Sequence, residues 1–245
     1  MPMSILAQWK QAHQTNQKQL AVLLDPDKFR PDTCAHIIEL AHQANVGCFF
    51  VGGSLLSTDL LDKQLSFLQA NTDLPIILFP GGSYQINPRA DGILLLSLIS
   101  GRNPDLLIGQ HVLAAPMLRQ SGLQIISTGY ILIEGGHVSS VQYISDTNPI
   151  PAHKPDIAAA TAVAGEMLGM QLIYLEAGSG AKQPVSVDTI AAVRRSIGLP
   201  LIVGGGIRTP QAAAQAAQAG ADIIVVGTAF ENDPNTLRDI AKSIQ

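Results

Sequence analysis

Residues 200–228 read PLIVGGGIRTPQAAAQAAQAGADIIVVGT. An apolar run from Pro200 to Val203 stops at three glycines. A stretch rich in Ala and Gln follows, Pro210 to Ala219, with Gly220 placed as a helix C-cap. A second apolar run, Asp222 to Val226, then ends in Gly227-Thr228. The order strand, glycine loop, helix, strand is one βαβ unit, and the alanines let such a helix lie close to a sheet.

The same signature recurs toward the N-terminus. Apolar runs occur at Leu20–Leu24, Gly47–Val51, Pro75–Phe79, Gly92–Leu96, Gln124–Ser127 and Gln171–Leu175. With the two above they make eight in 245 residues, roughly one per βα unit. Their apolarity is continuous rather than alternating, as expected of parallel strands covered on both faces. Between them, Thr33–Asn45, Ser57–Asn71 and Pro155–Leu168 carry helix signals. Thr58 and Asp59 stand where they would cap the second, and Pro155-Asp156 opens the third. The pattern predicts a (β/α)8 TIM barrel of the α/β class, one domain over 1–245, with a short N-terminal helix at about 4–18. A doubly wound open sheet would need fewer strands. Pro80 to Pro88 leaves little room for a third helix. Tyr130 to Ile144 turns strand-like again, with Gly135-Gly136 as a hairpin turn, and reads as a small insertion after the fifth strand.

Composition narrows the function. The chain is 47% hydrophobic and 14% charged, with a formal net charge of −4, and no basic stripe suggests a nucleic-acid partner. No apolar run approaches a membrane span, and the first twenty residues lack a signal-peptide core, so the expected location is the cytoplasm. Cys34 and Cys48 read as buried thiols, the six histidines show no metal-ligand spacing, and Trp9 is expected to pack the N-terminal helix against the barrel.

Barrel chemistry sits at the C-terminal ends of the strands. There the sequence offers Asp25-Pro26-Asp27-Lys28, Gly52-Gly53-Ser54, Pro80-Gly81-Gly82-Ser83, Glu176 to Ala181, Gly204 to Arg208 and Gly227-Thr228. Glycine loops after strands seven and eight suit a phosphate held by main-chain amides, or serve only the turns. Asp25 and Asp27 either cap the next helix or hold a hard cation, with Ser54 as a further oxygen. Glu176 interrupts an apolar strand, where a carboxylate is costly unless paired in a salt bridge or used as a general base. Tyr174, two positions earlier, shares its face.

These motifs, in this order from strand one to strand eight, resemble the geranylgeranylglyceryl phosphate synthase family, which includes bacterial heptaprenylglyceryl phosphate synthases. The specific element is Tyr174-Leu175-Glu176-Ala177-Gly178-Ser179-Gly180. The resemblance implies transfer of a polyprenyl group, expected to be geranylgeranyl, from its diphosphate to the 3-hydroxyl of sn-glycerol 1-phosphate, in ether phospholipid synthesis. It implies Mg2+ as cofactor, held by Asp25 and Ser54, and Glu176 as the catalytic base. Glycerol 1-phosphate would be bound by Tyr174 to Gly180 and by Gly205, Gly206, Gly227 and Thr228. One family branch has a lysine two positions before the metal aspartate; Leu23 stands there, so the chain resembles the other branch, group II. A homo-oligomer, dimer or hexamer, and transient contact of the lipid product with a membrane are also expected. Two other readings stand beside this one: a phosphate-binding barrel isomerase or aldolase, and a non-catalytic binder of phosphorylated metabolites. No strand run contains the lysine a Schiff-base aldolase needs.

Overall fold

The structure, a computed structural model, describes residues 3–227 and 234–245. Eight strands form a closed, all-parallel barrel: β1 (Gln19–Leu24), β2 (Cys48–Val51), β3 (Ile76–Leu78), β4 (Gly92–Leu98), β5 (Gln124–Leu132), β6 (Leu172–Glu176), β7 (Leu201–Gly204) and β8 (Ile223–Val226). β8 closes the ring on β1, with Leu20 beside Ile224 and Val22 beside Val226. Helices α1 (Ile5–Gln14), α2 (Pro31–Gln43), α3 (Leu61–Asn71), α4 (Gln110–Ser121), α5 (Ser140–Ser145), α6 (Pro155–Met167), α7 (Val187–Ser196), α8 (Pro210–Ala219) and α9 (Pro234–Ser243) complete it. No described helix is long and apolar enough to cross a membrane.

The two faces of each strand feed two cores. Ala21, Phe50, Ile77, Leu94, Ile126, Tyr174 and Ile202 fill the barrel. Val22, Phe49, Ile93, Leu175 and Val203 pack outward with helix residues such as Ile37, Leu65 and Ala213. Burial on both faces is why the strand runs are continuously apolar. Trp9 of α1 is buried and meets Phe50 edge-on at 6.1 Å, closing the barrel floor. The thiols of Cys34 and Cys48 are both buried and free.

Three local readings change and one holds. Where 4–18 was expected as helix, α1 ends at Gln14, because Asn16 takes a left-handed φ of 54°. Helix α3 starts at Leu61 rather than Ser57: Ser57 and Thr58 spend their amides and hydroxyls on Asp27 instead of capping it. The stretch after β5 is not a hairpin. β5 itself runs to Leu132, and Ser139, accepting from the Gln142 amide at 3.3 Å, starts the short helix α5. A third barrel helix is indeed missing, replaced by a single 3-10 turn at Ser83–Gln85.

One buried carboxylate ties the floor together. Asp222 accepts from Arg194 Nη1 at 3.0 Å and from the Leu201 amide at 2.8 Å, with His13 at 3.0 Å and Lys18 at 3.9 Å. Removing it would leave the half-buried Arg194 of α7 and Lys18, just before β1, without their shared carboxylate, and His13 of α1 without its partner. We expect Asp222→Ala to cost about 3 kcal/mol in chemical denaturation, the scale for breaking a buried pair on one side. A loss below about 1 kcal/mol would show that the cations rehydrate freely.

Candidate active site

A cavity of about 910 Å³ opens at the C-terminal ends of the strands. Its mouth is polar, with Asp25, Lys28, Ser54, Glu176 and Arg208 among the lining residues. The mouth is continuous with an apolar slot walled by Ile86, Ile93, Leu95, Leu106, Ala114 and Leu118. Ile93, Ala114 and Leu118 belong to the outer core, so the slot leaves the barrel between β4 and α4. That space exists because one 3-10 turn stands where a third helix would fill it.

The β6 pleat turns Tyr174 and Glu176 inward together. Tyr174 is fully buried, stacked on Phe79 at 5.1 Å with rings 7° from parallel, and beside Tyr130 at 5.4 Å. Glu176 is 5% exposed, and its Oε1 accepts from the Gly178 amide at 2.6 Å. Among the described residues no salt bridge reaches it, which removes the ion-pair reading of this carboxylate. Burial therefore raises its pKa to about 7, against the opposing pull of the Gly178 amide and the nearby Tyr174 hydroxyl. The hydroxyl lies close enough to steady the charge but short of a formed hydrogen bond, and among the described residues it is a buried polar group without a partner. A buried hydroxyl left in this way is costly unless a ligand satisfies it.

Opposite, the β1 and β2 ends bring Asp25 and Ser54 to the same wall. Asp25 Oδ1 accepts from the Asp27 amide at 3.0 Å; its second oxygen and the Ser54 hydroxyl have no partner among the described residues. No cluster of three or more His, Cys, Asp or Glu suited to a metal occurs among those residues. One carboxylate and one hydroxyl fit a hard cation whose shell is completed by substrate phosphates and water. Asp27 is no part of that set. Its two oxygens are saturated by Ser57 and Thr58, and the Ser57 amide foremost, then the two hydroxyls, hold its carboxyl down at about 2.

The remaining expected residues fall into three groups. Ser179, Gly180, Gly205, Gly206 and Gly227 line the cavity, and the amides of Gly205 and Gly206 have no acceptor among the described residues. Leu175 and Ala177 turn outward into the helix-facing core, so only their main chain is near the mouth. Thr228 lies outside the described residues. Gly205 adopts a φ of +83°, and a β-carbon there would strike Glu176 Oε1. This glycine lets the β7 loop close over the carboxylate.

Sequence reading anticipated an apolar slot for a prenyl chain but not the residues that line it. His111, taken as structural, lines the cavity, and its Nε2 meets Ser97 Oγ at 3.0 Å while burial lowers its pKa. Phe79, Tyr130 and the slot leucines read as plain core, because an apolar ligand site and an apolar interior use the same residue types. The only available signal was the missing third helix.

A model of the PcrB family matches residues 13–244. Among curated proteins, a geranylgeranylglyceryl phosphate synthase of Spirosoma linguale is 50% identical over 244 residues, 99% of this chain and 96% of that one. The enzyme of that name from Thermococcus gammatolerans is 47% identical, covering 86% of this chain and 83% of its own. Among solved structures, (S)-3-O-geranylgeranylglyceryl phosphate synthase from Thermoplasma acidophilum, in complex with its substrate sn-glycerol-1-phosphate, superposes with a TM-score of 0.93 at 35% identity, covering 99% of each chain. A tryptophan synthase alpha subunit from Legionella pneumophila, at 17% identity and a TM-score of 0.58, shares the fold alone.

Proposed function

The chain belongs to the PcrB family, and on that premise we propose that it transfers a polyprenyl group, geranylgeranyl foremost, to the 3-hydroxyl of sn-glycerol 1-phosphate. The observation that carries this reading is one cavity joining a buried, unpaired carboxylate and open main-chain amides to an apolar slot. A sugar-phosphate isomerase needs no such slot, and a passive binder needs no basic carboxylate.

The chain's residues divide the work. The Gly205 and Gly206 amides hold the phosphate of glycerol phosphate, leaving its free hydroxyls beside Tyr174 and Glu176. Tyr174 supplies its unpartnered hydroxyl to the glycerol backbone. The prenyl chain lies in the slot by Ala114 and Leu118, with its diphosphate toward Asp25, Ser54 and Lys28. Bound there, Mg2+ would neutralise the diphosphate so that it departs readily. The allylic C–O bond breaks and diphosphate leaves with the electron pair. A new C–O bond forms from the glycerol 3-hydroxyl, whose proton passes to the carboxylate of Glu176. A base with a pKa near 7 is half ionised near neutral pH, where proton transfer is most effective. The aromatic group of Phe79, Tyr130 and Tyr174 excludes water from the reacting carbon. The exposed apolar side chains of Val112, Leu113 and Met117 on α4 support the further reading that the protein works as a homo-oligomer, which light scattering would measure.

The test is incubation with sn-glycerol 1-phosphate, Mg2+ and prenyl diphosphates of increasing length, followed by lipid extraction. Prenylated glycerol phosphate formed only with Mg2+ is expected; no product at any length would overturn the reading. The slot makes a further expectation. Ala114→Phe adds a ring to its wall, so the ratio of turnover with geranyl to that with geranylgeranyl diphosphate should rise at least several-fold. An unchanged ratio would place the prenyl chain elsewhere.

A further inference from the structure

Ser54 stands on the loop between β2 and α3, which has no helix or strand of its own. A ligand on such a loop is only as well placed as whatever holds the loop. From the β3 side, Gln85 Nε2 donates to the Gly53 carbonyl at 2.7 Å, and the Gly53 amide donates back to Gln85 Oε1 at 3.3 Å. Gln85 is only 1% exposed, yet the hydrogen bonds of both ends of its amide to the neighbouring loop go to this single residue. From the β1 side, Asp27 Oδ2 accepts from Ser57 N and Oγ at 2.8 and 2.7 Å, and Oδ1 accepts from Thr58 N and Oγ1 at 3.0 and 2.7 Å. Beneath, Gly81 packs so close to the Gly53 and Ser54 carbonyls that a β-carbon would collide with them. The loop is gripped on three sides while the Ser54 side chain stays on the cavity wall.

We propose that Gln85 and Asp27 are positioning residues that fix Ser54 for the metal–diphosphate end of the prenyl substrate. The proposal rests on the reading of Asp25 and Ser54 given above. The 3-10 turn at Ser83–Gln85 thus has two roles: it vacates the slot and delivers the glutamine that sets the metal-side loop.

The test is a pair of calorimetric titrations on the full chain, one with inorganic pyrophosphate in excess Mg2+ and one with sn-glycerol 1-phosphate. Gln85→Met keeps the side-chain length and removes both hydrogen bonds to Gly53. It should weaken pyrophosphate binding about tenfold, the low end for a group supporting a metal ligand, and leave glycerol phosphate unchanged. Asp27→Asn should move the same titration in the same direction, and it carries the comparison if Gln85→Met fails to fold. Unchanged pyrophosphate affinity in a folded variant, or equal weakening of both ligands, overturns the proposal. Wild-type protein that binds glycerol phosphate but not Mg2+–pyrophosphate overturns the metal reading itself, a distinct failure visible before any variant is made.

Discussion

Glu176→Gln should fold normally and lose at least a hundredfold in kcat, within the usual range for removal of a general base. The variant keeps an oxygen to accept the Gly178 amide and presents an NH2 toward Tyr174, so the site geometry survives while the proton acceptor is gone. The same substitution reports on stability with a defined sign. Burial raises the carboxyl of Glu176 from its ordinary range to about 7. The group therefore favours the folded state fully below its unfolded pKa, and that contribution drains away as pH rises through about 7. Above pH 7 the folded wild type holds a buried charge that costs about 3 kcal/mol relative to the neutral acid. The Gln variant should match wild type at pH 4, below the unfolded pKa, and unfold at higher denaturant at pH 8. For the wild type, kcat/KM should climb with pH and level off above about 7. A folded variant with wild-type turnover, or a rate that falls across that range, removes Glu176 from the role of base.

Gly205→Ala should be strongly damaging to substrate binding. Its φ of +83° disfavours any side chain, and the new methyl would meet Glu176 Oε1 and crowd the amides of Ala177 and Gly178. The β7 loop must move, and with it the Gly205 and Gly206 amides. Binding of sn-glycerol 1-phosphate should fall at least a hundredfold by titration. Gly122→Ala is the control, because Gly122 at the end of α4 has a φ of +75° with nothing within 4 Å of a β-carbon. It shares the backbone strain without the collision, so it should cost about 1 kcal/mol of stability and leave binding intact. Equal effects from the two variants would reduce Gly205 to a turn residue.

The barrel was legible in the chain because a parallel strand buried on both faces leaves an apolar run with few rivals. The unit at 200–228 displayed the strand, the glycine loop and the alanine-faced helix at once. Glu176 was legible for the converse reason, since a carboxylate cannot hide among Ile173, Tyr174 and Leu175. Periodicity failed after β5, where the stretch through Ile144 gave the same reading for a hairpin and for an extended strand followed by the helix that Ser139 caps. Thr58 failed as a cap because its partner, Asp27, lies 31 residues away and offered the hydroxyl a better bond.

Sequence alone determined the order of the eight strands, the strand ends where chemistry gathers, and the residue types there, because these follow from local periodicity and the desolvation cost of single side chains. Tertiary structure decided how they meet. It set the absence of any ion pair to Glu176 among the described residues, the outward turn of Leu175 and the grip of Gln85 on Gly53. It also opened the slot between β4 and α4. Each depends on groups distant in the chain arriving at one place, and a cavity is set by where atoms are not, which no residue's identity records.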